Sequence, residues 1–281
     1  MATQLEAFHL DTPGGFRFCV VRGPAATVVP RGTIVHIHAF AEEMNKSRRM
    51  VALAADAWAE QGWRVVQVDL GGCGDSQGEF SAATWELWLQ DVRAAHAWAT
   101  TQGTGPVWLW GLRLGALLAC EAAARYRFDC GLLLWQPVTS GKQHLQQFLR
   151  LLKAAQVVGK AGSDTDVSPL QRLAAGETVE VAGYDISPAL ANGMEAARIE
   201  AIHAPRGVHW FQVVAAGAST TTTTTTPALD RVKVDCLARG VDLQFHVAQG
   251  PSFWQTQEIE VADELLVQSR LALQDAEATP V

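Results

Sequence analysis

Apolar positions along this chain follow two alternating patterns. The runs GTIVHIHAF (32–40), RVVQVDL (64–70), PVWLW (106–110) and CGLLLWQPV (130–138) are short, β-branched or continuously apolar, and read as strands. Segments with helical spacing separate them: MVALAADAWAEQGW (50–63), TWELWLQDVRAAHAWATTQ (84–102) and an alanine-rich stretch after Gly115. The polar residues 41–49 between the first strand and the first helix read as a loop. Strands that are apolar on both faces, joined by helices, predict an α/β fold with a mostly parallel central sheet and helices on both faces. Residues 5–23, with the turn Pro13-Gly14-Gly15, read as an antiparallel edge hairpin.

The alternation stops after Val138. Residues 140–204 hold an amphipathic basic segment, KQHLQQFLRLLKAAQVVGK (142–160), then a polar linker, GSDTDVSP (162–169), and then mixed pieces without a buried strand of the earlier kind. This segment is expected to be a helical cap inserted into a core formed by 1–139 and 205–281, its basic helix exposing a solvated face. Strand and helix resume with GVHWFQVVAAG (207–217), PALDRVKVDCLARG (227–240), DLQFHVAQG (242–250), the loop PSFWQ and a final helix TQEIEVADELLVQSRLAL (256–273). The threonine run Thr220 to Thr226 reads as a mobile low-complexity loop, and the tail DAEATPV as a frayed end.

Composition narrows the partners. With 281 residues, 48% hydrophobic and 18% charged, the chain can bury a large core, and a net charge of −7 (pI about 5.6) argues against nucleic acid. Five cysteines without a C-x-x-C pair fit reduced thiols better than disulfides or a metal site. No signal peptide and no transmembrane segment are legible, so a cytoplasmic protein is expected. Nothing in the pattern calls for a cofactor.

In an open parallel sheet, ligands sit beyond the carboxyl ends of the strands, which nominates His38, Asp69, Arg113, Gln136 and the loops after Ala216 and Gln249. Three of these strand ends carry turns of one kind of fold. His38-Ala39-Phe40 follows the strand that usually leads into the oxyanion-hole loop. Asp69-x-x-Gly72-x-Gly74-x-Ser76 resembles a D-x-x-G-x-G-x-S turn, and Gly111-Leu112-Arg113-Leu114-Gly115 has the glycine spacing of the nucleophile elbow G-x-S-x-G. Together they predict the α/β-hydrolase fold. More closely, HIHAFAEEMNKSRRM, VDLGGCGDSQGEF with TWELW, WLWGLRLGALLA and GPSFWQTQEIE resemble the exosortase A system-associated hydrolase 2 family over nearly the whole chain. That resemblance implies a bacterial α/β-hydrolase-like protein tied to exosortase (PEP-CTERM) sorting and exopolysaccharide export, without naming a substrate.

The residues themselves do not supply a serine-hydrolase triad. Arg113 stands at the elbow, Phe253 where the histidine loop falls, and Asp230 is the first carboxylate after the threonine run, while His246 lies within the last strand. A guanidinium is not a usable nucleophile. At a helix N-terminus it makes a clamp for a carboxylate or phosphate, or it pairs with Glu42 or Glu43 on the adjacent segment and fills the cleft. Cys73 is the weak alternative nucleophile. The cleft is expected to gather His38, Phe40, Glu42, Glu43, Arg113, Leu114, Gln136, Phe253 and Trp254, with a small anionic or acyl ligand as partner. Arg48 and Arg49 read as solvated, Ser76 and Ser252 as loop hydrogen-bonders, and Trp110 and Trp135 as core. Two function classes follow: a hydrolase or acyltransferase with an atypical nucleophile, and a non-catalytic binding protein that uses the same cleft.

Overall fold

The computed structural model describes residues 3–158, 167–217 and 226–275. In chain order its elements are β1 (Gln4–Thr12), β2 (Gly15–Gly23), β3 (Thr33–Ile37), α1 (Glu42–Glu60), β4 (Arg64–Val68), α2 (Trp85–Thr101), β5 (Val107–Leu112), α3 (Leu114–Tyr126) and β6 (Cys130–Trp135). They continue with α4 (Gly141–Val158), α5 (Pro169–Ala174), β7 (Val179–Val181), β8 (Tyr184–Ile186), α6 (Pro188–Ala196), β9 (Val208–Val214), α7 (Pro227–Ala238), β10 (Leu243–Gln249) and α8 (Asp263–Asp275). No helix among the described residues is long and apolar enough to cross a membrane.

Eight strands form one sheet in the order β1-β2-β4-β3-β5-β6-β9-β10. The β1/β2 hairpin is antiparallel and joins β4 antiparallel, and the strands from β4 to β10 run parallel. Every residue of β3, β5 and β6 is buried, which is why these strands read as unbroken apolar runs. One face packs α2 and α3 through residues such as Leu89, Val92, Leu117 and Ala119. The other packs α1 and α8 around Trp58, Trp110 and Trp135, whose rings meet edge-on with Trp110 centroids 4.7 Å from Trp58 and 4.8 Å from Trp135.

Three readings of the sequence change. Residues 42–49 are helix, not loop: α1 starts at Glu42, with Glu42 and Glu43 in its first turn, where carboxylates favour the amino end of a helix. The last helix starts at Asp263, so TQEIEVA precedes it. The segment between β6 and β9 carries a small antiparallel hairpin, β7/β8, in addition to helices. Of the threonine run only Thr226 is described, and its side chain caps α7 by accepting from the Leu229 N–H at 3.2 Å. The rest of that run, residues 159–166, which include the end of the basic segment and part of the linker, and residues 276–281 lie outside the described residues.

Candidate ligand-binding cleft

The turn from β5 to α3 is built by backbone approach. A Cβ on Gly111 would lie 2.3 Å from Ala116 Cα, and one on Gly115 would lie 2.3 Å from the Ile37 oxygen and 2.4 Å from the His38 oxygen. Only glycine lets α3 begin this close to the ends of β5 and β3. The residue between them takes the strain: Arg113 has φ 56° and ψ −117°, a conformation that L-residues rarely adopt. It is held there by three bonds, from its own N–H to the Trp135 oxygen (3.0 Å) and to its carbonyl from Ala116 N–H (3.1 Å) and Val138 N–H (3.2 Å). The side chain is thereby projected off the carboxyl edge of the sheet.

Its first partner is Glu43, the second residue of α1. Arg113 Nε donates to Glu43 Oε1 at 3.2 Å, and both side chains are 12% exposed. Arg113 Nη1 points at the Gln136 carbonyl at 3.5 Å, and the guanidinium lies 5.4 Å above the Trp254 ring. Burial pushes the Glu43 carboxyl above its ordinary range, and Arg113 pulls it back part of the way. Glu43 Oε2 has no hydrogen-bond partner and faces His144 Nε2 of α4 at 3.9 Å, too far for a hydrogen bond. His144 is 5% exposed, and neither ring nitrogen has a partner. Burial, with Arg113 adding to it, lowers its pKa to about 3, so the imidazole is neutral and the Glu43–His144 approach is not an ion pair. A cavity of about 290 Å³ opens onto these groups, walled by Phe40, Phe148 and Leu151 and rimmed by Glu42, Lys46, Gln147 and Gln255.

The remaining nominated residues divide clearly. Glu42 lines the same cavity and pairs with Lys46 at 3.6 Å, and Lys46 also donates to the Gln255 carbonyl at 3.3 Å. His38 turns away: its Nδ1 bonds the Ala39 oxygen at 2.7 Å and its Nε2 accepts from the Leu70 N–H at 3.2 Å, so both nitrogens stitch loops together. Leu114 buries its side chain beside His38, Phe40 and Trp88. The side chain of Gln136 also leaves the cleft, because φ of 43° swings its Oε1 onto the Val213 N–H at 2.7 Å, and only its carbonyl faces Arg113. Phe253 is fully buried against Trp135 and Trp254.

Asp69, Gly72, Gly74 and Ser76 form a knot behind the cleft. Asp69 Oδ2 accepts from the Asp75 N–H at 3.0 Å, and Ser76 Oγ donates to the Asp69 carbonyl and accepts from the Phe18 N–H. A Cβ on Gly74 would sit 2.0 Å from Asp69 Oδ2, and one on Gly72 2.6 Å from the Glu79 oxygen, while both glycines have positive φ. Beneath them Arg17 and Asp91 form a fully buried pair at 2.7 Å, and Asp91 Oδ2 also holds the Gly71 N–H. Burial and the nearby Asp69 and Asp91 push the Cys73 thiol well above the ordinary range, which disfavours the thiolate that a nucleophile needs. Asp230 lies in the first turn of α7 and His246 in β10 beside His209, at 3.1 Å from it, and neither lines the cavity at Arg113. Arg48 and Arg49 are exposed on α1. His144 is the residue that sequence reasoning missed. Its signal was the spacing 144, 148, 151, one face of α4 with a histidine among apolar neighbours.

Residues 29–201, more than half of the chain, match Hydrolase_4, described as Serine aminopeptidase, S33. The chain belongs to this family. The fold of this Hydrolase_4 protein is that of the α/β-hydrolases. It is similar to ferulic acid-bound Est1E from Butyrivibrio proteoclasticus, with a TM-score of 0.67, 15% identity and 97% and 100% of the two chains covered. It is also similar to XC6422 from Xanthomonas campestris, a serine hydrolase without lid (0.56, 19%, 100% and 98% covered). A third likeness is to a thermostable carboxyl esterase from Bacillus coagulans in complex with glycerol (0.59, 16%, 98% and 99% covered). No curated protein matches the chain.

Proposed function

We propose that this Hydrolase_4 protein binds a small anionic or acyl ligand in its cleft without cleaving it, and that Arg113 holds the anion. One observation carries the reading. The backbone conformation suited to a nucleophile, φ 56° between two glycines that tolerate no Cβ, presents a guanidinium instead of a serine hydroxyl. A guanidinium offers several N–H donors and a permanent charge but no nucleophilic lone pair. No hydroxyl or thiol hydrogen-bonds to His144, the imidazole at the cavity, among the described residues, and Phe253 closes the loop after β10 with an apolar ring. In this reading the segment 140–204 is a cap, since α4 lays His144 and Phe148 over the cavity. That the fold neighbour Est1E holds ferulic acid, a carboxylic acid, is in keeping with it.

The sequence resemblance sets this binding role in a bacterial exosortase and exopolysaccharide system, and the five free, buried cysteines support a reducing, cytoplasmic setting. Two measurements test the reading. A fluorophosphonate probe should leave the protein unlabelled; covalent labelling at any residue would establish a nucleophile and favour the hydrolase or acyltransferase reading. Hexanoate should bind the wild type at least tenfold more tightly than Arg113→Ala, and equal affinity would reject the clamp.

A further inference from the structure

The cavity at Arg113 contains more unmet hydrogen-bonding capacity than an anion alone would use. Glu43 Oε2 lacks a partner, and so do both nitrogens of His144, a side chain that is 5% exposed. Buried polar atoms are paired in the great majority of cases, and leaving one unpaired is destabilising. Glu43 Oε2 and His144 Nε2 stand 3.9 Å apart, buried within two side chains that form part of the wall of a cavity of about 290 Å³.

We infer that the ligand of this cleft is a short hydroxy acid, whose carboxylate meets the Arg113 guanidinium and whose hydroxyl bridges Glu43 and His144. The inference rests on the anion-binding role proposed above and names the ligand class. Three features of the site argue for it. First, the bridging group must donate to a carboxylate oxygen and also bond a neutral imidazole, and a hydroxyl is the smallest ligand group that both donates and accepts. A second carboxylate would be repelled by Glu43. The gap is too wide for a direct bond, and both atoms are buried, so the hydroxyl enters as the two side chains part around it.

Second, Arg113 need not release Glu43 to take the acid. Its Nε is engaged by Glu43 and its Nη1 lies 3.5 Å from the Gln136 carbonyl, whereas the guanidinium carries five N–H donors in all. Third, Glu43 itself sets the spacing. Its Oε1 sits on the guanidinium and its Oε2 faces the imidazole, so one short molecule spans the remaining guanidinium donors and the imidazole, as a 2- or 3-hydroxy acid does. The remaining wall, Phe40, Phe148 and Leu151, suits a short aliphatic or aromatic body.

The test is titration calorimetry of the full chain with 3-hydroxyhexanoate and hexanoate. The wild type should prefer the hydroxy acid at least tenfold, and His144→Phe should narrow that preference to within about twofold. A preference that persists in His144→Phe would overturn the bridge. In case that variant does not fold, the imidazole ¹⁵N shifts of wild-type His144 supply a second reading: 3-hydroxyhexanoate should move them and hexanoate should not. If both acids bind equally, and Arg113→Ala weakens both, the clamp stands and the hydroxy acid inference falls; a water filling the gap gives this result. If neither acid binds the wild type, both ideas fall together.

Discussion

Arg113 and Glu43 meet at 3.2 Å with 12% of each side chain exposed, so the turn between β5 and α3 closes on an ion pair. Such a pair is costly to bury and costlier to break, because removing one member leaves the other charge without compensation. Arg113→Leu should therefore lose about 2–3 kcal/mol of stability. The double variant Arg113→Leu/Glu43→Leu should recover to within about 1 kcal/mol of wild type, since apolar replacement of both partners is nearly neutral. Urea unfolding of the four proteins in the cycle measures this, and a double variant as unstable as the sum of the singles would show that the two residues are not coupled.

The second expectation concerns the glycine that brings α3 against β3. A methyl group on Gly115 has nowhere to go, with carbonyl oxygens of Ile37 and His38 within 2.4 Å, and both are backbone atoms. Gly115→Ala should cost more than about 3 kcal/mol or prevent folding, by the overpacking that rigid cores do not absorb. Gly23→Ala is the control: nothing lies within 4 Å of its Cβ position. It should stay within about 0.5 kcal/mol of wild type. Thermal unfolding of both variants decides the matter, and equal midpoints would refute the packing argument.

Acid should destabilise the fold through imidazoles that are buried neutral. Burial lowers His144 and His36 from 6.5 to about 3, with Arg113 adding to the effect on the first and His38 to that on the second. Between those values the unfolded chain binds more protons than the native one. Stability is therefore retained above pH 6.5 and falls as the pH drops toward 3, by up to about 1.4 kcal/mol per pH unit for each histidine. Glu43, raised by burial, works in the opposite direction, because the folded state holds its proton more tightly. Urea midpoints measured from pH 7 to 5 should fall less steeply in His144→Phe than in wild type, and identical slopes would count against a buried neutral imidazole.

All five cysteines are free and buried. The native protein should show no thiol that reacts with Ellman's reagent within minutes, and denaturant should release all five. Rapid reaction of Cys73 in the native state would reopen its candidacy as a nucleophile.

What the sequence revealed about the fold came from steric necessity. Gly111 and Gly115 flank a strand end and helix start that no other residue permits, and β3, β5 and β6 are apolar because helices cover both faces. The cleft was legible only where it depended on adjacency. That a glutamate of the segment after β3 lies within range of Arg113 followed from topology, which left an ion pair and an open clamp as two readings. Which glutamate did not, because residues 42–49 read as a loop and a loop has no phase. As α1, the same residues turn Glu43 inward with Ser47 and Met50 and leave Glu42 at the rim beside Lys46. His144 escaped for a related reason. Its helix reads as an ordinary amphipathic surface helix, and its inner face acquires a role only when α4 is laid across the elbow. Gln136 shows the reverse: a strand-end position points it at the ligand, but one positive φ redirects its side chain to Val213.

The Arg17–Asp91 pair joins the second strand to α2, and through Asp91 it fixes Gly71 at the end of β4. The amino-terminal hairpin is therefore not a detachable border of the sheet. A chain started after Arg17 would leave a carboxylate in the interior with no cation, so the minimal autonomously folding unit must include β2, and amino-terminal truncation libraries should lose the fold once they pass Arg17.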